Sequence, residues 1–167
     1  MIEARGQSLA FPLPDAKGWS RDRSETRSWV ASHPATASRL IVRAWQHDAI
    51  ARSDDCERQA RLWRPELPVL GPEELVETKQ ATLAGSYTSQ VSVGILAEDP
   101  AAPDTLHGHA LAFGSDARSC LLLAFSTAAS GPGALRVIAE RLGVVSQGVF
   151  GGVRRLRIDE RVVVPRL

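Results

Sequence analysis

Apolar and polar positions alternate with a period of two along most of this chain, and the pattern turns helical in only two places. Residues 38–45 carry the alternation most clearly. Leu40, Val42 and Ala44 share one face, and Arg39, Ile41, Arg43 and Trp45 share the other. Further strands are expected over 8–13, 28–32, 75–83, 87–97, 106–113 and 120–127. Their ends are marked by His33-Pro34, Gly85-Ser86, the 98–104 stretch with its two prolines, and a hairpin turn at 114–117. A helix is expected from Ser53, with Asp54 as its N-cap and Glu57 three residues later. Cys56, Ala60 and Trp63 form its apolar stripe, and Pro65 and Pro68 stop it. Ser130-Gly-Pro-Gly133 opens a second helix, whose stripe is Leu135, Ile138, Leu142 and Val145 or Val149; Gly151-Gly152 closes it. Residues 1–7 read as a flexible lead-in, and 153–167 as a tail or an edge strand.

This order predicts an α+β domain, an antiparallel sheet packed by helices. One domain spanning 1–167 is the simplest partition of a chain of 167 residues. The 44% of hydrophobic residues is a globular proportion, which excludes disorder as the general state. Twenty basic residues, all Arg except Lys17 and Lys79, are scattered among nineteen acidic ones for a net charge of +1. That balance excludes a broad nucleic-acid-binding surface and leaves local patches open. No stretch approaches the ~20 apolar residues of a membrane span, and residues 1–7 lack the basic and apolar regions of a signal peptide. The membrane would be reached only through an N-terminal anchor that has been removed.

The two cysteines sit at the edges of apolar segments, Cys56 in the first turn of the helix and Cys120 at the start of the Cys120-Leu-Leu-Leu-Ala-Phe125 run. Joined, they staple helix to sheet and place the protein in an oxidising compartment; left free, they are small buried hydrophobes. No Cys-x-x-Cys motif is present.

Three segments give the chain a wider resemblance: the opening Leu9-Ala-Phe-Pro-Leu-Pro-Asp-Ala-Lys-Gly-Trp19, the strand ending Val42-Arg-Ala-Trp45, and the strand–turn–helix over 120–150. Together they resemble the PsbP-like fold, which includes an extrinsic photosystem II subunit, a Ran-binding nuclear import factor, bacterial lipoproteins and chaperones of type VI secretion effectors. The resemblance implies an α/β/α sandwich around an antiparallel sheet, with mainly binding and scaffold roles. It carries no catalytic residue to this chain.

The candidate chemistry is sparse. His107-Gly-His109 places two imidazoles on one strand face, the start of a metal site that lacks a third ligand. His33 and His47 follow strands and are expected at the surface. There is no Gly-x-Ser-x-Gly elbow, and Ser130-Gly-Pro-Gly133 lacks the Lys of a phosphate loop. Asp54-Asp55 and Glu73-Glu74 are adjacent carboxylates that point apart. The face Arg39, Ile41, Arg43, Trp45 has the aromatic-plus-Arg composition of a protein interface, unless a helix covers it. The expectation is therefore a non-enzymatic binding or scaffold domain without cofactor, acting on a protein partner. It would be periplasmic or anchored at the outer membrane. The alternatives are a cytosolic adaptor like the type VI chaperones, and a metal-binding protein using His107 and His109.

Overall fold

The computed structural model describes residues 2–6, 8–14 and 16–156. Among the described residues ten strands and two α-helices follow one another: β1 (Ile2–Gly6), β2 (Leu9–Leu13), β3 (Ser20–Arg21), β4 (Trp29–His33), β5 (Ser38–Gln46), α1 (Ser53–Trp63), β6 (Leu75–Leu83), β7 (Tyr87–Leu96), β8 (Thr105–Asp116), β9 (Ser119–Ser130), α2 (Ala134–Gly143) and β10 (Arg154–Arg155). A seven-stranded sheet has the order β3-β4-β5-β9-β8-β7-β6, and β1, β2 and β10 form a smaller one. All pairings are antiparallel. The expected α+β class with an antiparallel sheet is what the chain adopts.

The long β8–β9 hairpin is the spine of the large sheet, with Asp116 opposite Ser119 across a two-residue turn. Gly114, expected in that turn, lies inside β8 instead. A Cβ there would run into the Ser89 hydroxyl, so this glycine serves the close approach of β7 rather than a reversal. Residues 2–6, expected as a flexible lead-in, pair along their length with β2. Arg154 and Arg155 join the other edge of β2, and the rest of the expected tail, from 157 onward, lies outside the described residues.

Period two divides the large sheet into two buried faces. Leu40, Val42, Ala110, Ala112, Leu121, Leu123 and Phe125 pack with Ile138 and Leu142 of α2 and with Leu9 and Phe11 of the small sheet. Ile41, Leu111, Phe113, Leu122 and Ala124 pack on the opposite side with Ala60 of α1 and Leu67 of the connection that follows it. Asp55 rather than Glu57 makes the helix-start contact in α1, its carboxylate accepting the Arg52 backbone N–H at 3.0 Å. The stripe of α2 is Ala134, Ile138 and Leu142, while Leu135 points out at 60% exposure. After Gly143 the helix widens into a π turn, Val144–Val149, in which the Phe150 N–H donates to the Val145 carbonyl at 2.9 Å. That turn directs Val145, Val149 and Phe150 inward together.

Candidate functional site

Cys56 and Cys120 are joined, with their Cα atoms 5.4 Å apart and a sequence separation of 64. Both are fully buried beside Ala51 and the half-buried Trp45. The staple fixes α1 to the start of β9.

The helix it fixes covers the face expected to meet a partner. Ile41 is buried beneath Ala60 and Leu67, and the Trp45 ring lies 5.0 Å from Trp63 in an edge-on contact while its Nε1 donates to Gln59 Oε1 at 2.8 Å. The Arg43 guanidinium stacks 3.6 Å from the Trp63 ring centroid. Arg39, at the far end of the strand, lines a small cleft beside Ile41 and His109. The predicted interface of Arg39, Ile41, Arg43 and Trp45 is corrected accordingly: most of it is the seam between sheet and helix.

His107 and His109 do share a face, and the residue that meets them is Glu98, just past β7. Its Oε1 lies 2.7 Å from His109 Nε2 and its Oε2 lies 3.6 Å from His107 Nδ1. Among the described residues no group of three or more His, Cys, Asp or Glu could hold a metal ion. Burial holds the His109 imidazole below its ordinary value of 6.5; His107 adds to this and Glu98 opposes it. Since the folded state resists protonation, the unfolded chain takes up this proton first as pH falls below 6.5, and stability declines until the folded imidazole also titrates. His109→Gln should therefore flatten the loss of stability between neutral and mildly acidic pH. Urea unfolding of both proteins at the two conditions measures it, and equal slopes would contradict the assignment.

A cavity lies on the other face, under α2. It encloses about 240 Å³ and is walled by Trp19, Phe125, Val144 and Val145, with His33, Ser38 and Arg141 among its polar groups. The chain builds it from turns. The Pro34–Thr36 turn ends at Ala37 with a left-handed φ of 46°, which reverses the chain between β4 and β5. His33 is held inward, 6% exposed, against Trp19, with ring centroids 5.5 Å apart. Its expected surface position is thus corrected: Gly18 admits the imidazole where any Cβ would collide with it. A hydroxyl relay lines the floor. Thr36 donates to Ser38 at 2.7 Å, Ser38 to Thr127 at 3.0 Å, and Thr127 to the Thr36 carbonyl at 2.9 Å.

Arg141 closes this relay from α2. Its Nη1 donates to the Thr36 carbonyl at 3.1 Å, and to Thr127 Oγ1 and the Ala128 carbonyl at 3.0 Å. All three acceptors are neutral, so the half-buried charge at the cavity wall has no acidic partner among the described residues. Glu140, also at the rim, is turned to Arg136 at 3.0 Å. Sequence reasoning did not reach Trp19, His33 and Arg141 as a group, because they are joined only by the fold.

No known family model matches the chain, and no curated protein matches it. Among solved structures it is similar to a crystal structure at 1.50 Å resolution of a protein from Bacteroides thetaiotaomicron VPI-5482. The TM-score is 0.53 with 10% identity, covering 95% of this chain and 51% of that one. The chain thus spans about half the length of that relative, and the likeness concerns the fold alone.

Proposed function

We propose that this chain is a non-enzymatic binding domain of the PsbP-like kind, an α/β/α sandwich that receives a small apolar ligand beneath α2. The cavity carries this reading. Apolar walls from Pro14, Trp19, Phe125, Val144 and Val145 meet the polar groups of His33, Thr36, Ser38, Glu140 and Arg141 there, and it borders a π turn, a helical irregularity common at functional sites. At about 240 Å³ it exceeds the ~150 Å³ that admits benzene in an engineered protein core.

The Cys56–Cys120 bond is compatible with an extracellular or periplasmic setting, and no helix of the described residues is long and apolar enough to cross a membrane. We assign the domain to the periplasm or to an outer-membrane lipoprotein on that ground, with a protein partner to or from which the ligand passes. The cytosolic chaperone reading requires reduced cysteines and an open apolar groove on the sheet, and α1 occupies one face of the sheet. The metal reading has only the His107–Glu98–His109 contacts behind it.

A filling substitution tests the cavity. Val145→Phe should extend a ring into it at a cost of about 1–3 kcal/mol, since Val145 is already a buried member of the core. Small aromatic and aliphatic compounds that raise the unfolding midpoint of the wild type should leave Val145→Phe unmoved. Equal responses from the two proteins would sink the reading.

A further inference from the structure

Another cleft lies at the C-terminal end of α1, and its chemistry differs from that of the cavity under α2. It has a volume of about 300 Å³, and its walls are Glu25, Arg27, Ser28, Arg43, Trp63 and Arg64. Three separate elements deliver the arginines. Arg27 precedes β4, Arg43 is on β5, and Arg64 caps the C-terminal end of α1. The pairing of Trp29 with Val42 carries Ser28 alongside Arg43.

The charges there are unequal in their compensation. Arg64 is held bidentately by Glu25, at 3.0 and 2.7 Å, with Glu66 at 3.3 Å. Arg43 has no carboxylate among the described residues. Its contacts are the rings of Trp63 and Trp45, at 3.6 and 5.7 Å from their centroids. Burial first, and then the neighbouring Arg27 and Arg64 charges, hold Arg43 below its ordinary value. The Ser28 hydroxyl is buried without a hydrogen-bond partner, and among the described residues it is the one side-chain polar atom in that state.

From this cleft, its cluster of guanidinium groups and the orphaned hydroxyl, we infer that the protein binds a small oxyanion of the phosphate or sulfate class between Arg43, Arg27 and Ser28. Guanidinium forks match the geometry of such oxygens, and the hydroxyl supplies one more donor. Glu25 stays with Arg64 and keeps that arginine placed. Trp63 orients Arg43 through its face, so the cation stands ready without a carboxylate competing for it. The site is separate from the cavity under α2, and its occupation does not require that cavity to bind anything.

The test is a thermal unfolding series in sodium phosphate and sodium sulfate against sodium chloride at matched ionic strength, on the wild type, Arg43→Gln and Ser28→Ala. Phosphate and sulfate should raise the wild-type midpoint above that in chloride, and by more than they raise that of Arg43→Gln, because general exclusion of these salts acts on both proteins and mass action at the site on the wild type alone. Arg43→Gln should weaken the apparent phosphate affinity about tenfold or more, equivalent to about 1.4 kcal/mol. Ser28→Ala should weaken it less and leave the chloride midpoint unchanged or higher, since an unpaired buried hydroxyl is removed. If Arg43→Gln does not fold, Arg27→Gln on the exposed rim replaces it, with the same direction expected. A wild-type response to phosphate and sulfate no larger than to chloride would overturn the inference, as would an unchanged phosphate response in the arginine variant that folds.

Discussion

Opening the Cys56–Cys120 bond is expected to lower the unfolding free energy by about 4 kcal/mol. The bond closes a loop with 64 positions of separation, and on the chain-entropy account most of the effect comes from freeing the unfolded chain. The folded state loses little, because both sulfurs stay packed beside Ala51 in a fully buried site. Small domains commonly hold about 5–15 kcal/mol in total, so this is a large share. Urea unfolding with and without reductant measures it. The midpoint should fall in reductant, and a Cys56→Ala, Cys120→Ala double variant should show the lowered midpoint under both conditions. Two reactive thiols in the unreduced protein, with no change of midpoint on reduction, would remove the staple and the compartment assignment that rests on it.

The second large effect is expected at Phe150. Its ring is fully buried within the cluster that joins α2 to both sheets, where Leu9, Phe11, Ile138 and Val149 also pack. Phe150→Ala should cost about 3–5 kcal/mol, the transfer free energy of the ring plus the cavity left behind. It should also loosen the π turn, since the buried ring anchors the residue whose backbone N–H closes that turn. Hydrogen exchange should then rise first over residues 144–150. A loss of stability with exchange unchanged there would mean that Phe150 supports the small sheet and not the wall of the cavity.

Much of the fold is legible in the chain because period two is a direct consequence of strand geometry. The faces of β5 follow from alternating residues, and the stripe Cys56, Ala60, Trp63 follows from helical spacing. The placement of Cys56 and Cys120 leaves their pairing open, and the structure joins them. Alternation does not say which faces are covered. The Arg39–Trp45 face was therefore open to misreading, although the unbroken run Cys120-Leu-Leu-Leu-Ala-Phe125 on the neighbouring strand already implies burial on both sides. Once Leu122 and Ala124 need cover, the adjacent Ile41 must share it. The strand at 2–6 escaped because its pairing with 9–13 depends on a hairpin with no strong turn motif.

The sites were less legible than the elements. Arg141 meets Thr36 across 105 positions, and Arg64 meets Glu25 across 39. Nothing local marks such partners, and a chain in which nearly every basic residue is Arg hides the few that matter. Glu98 lies in the 98–104 stretch that follows β7, so its approach to His107 and His109 depends on the register of β7 against β8.

Amide resonances of the labelled protein, recorded with and without the compound that stabilises it most, test the central claim that the cavity under α2 is the binding site. The account predicts shifts concentrated at Trp19, His33, Thr36, Ser38, Arg141 and Val145, and their absence in Val145→Phe. Shifts that avoid these residues, or that persist unchanged in the filled variant, would contradict it.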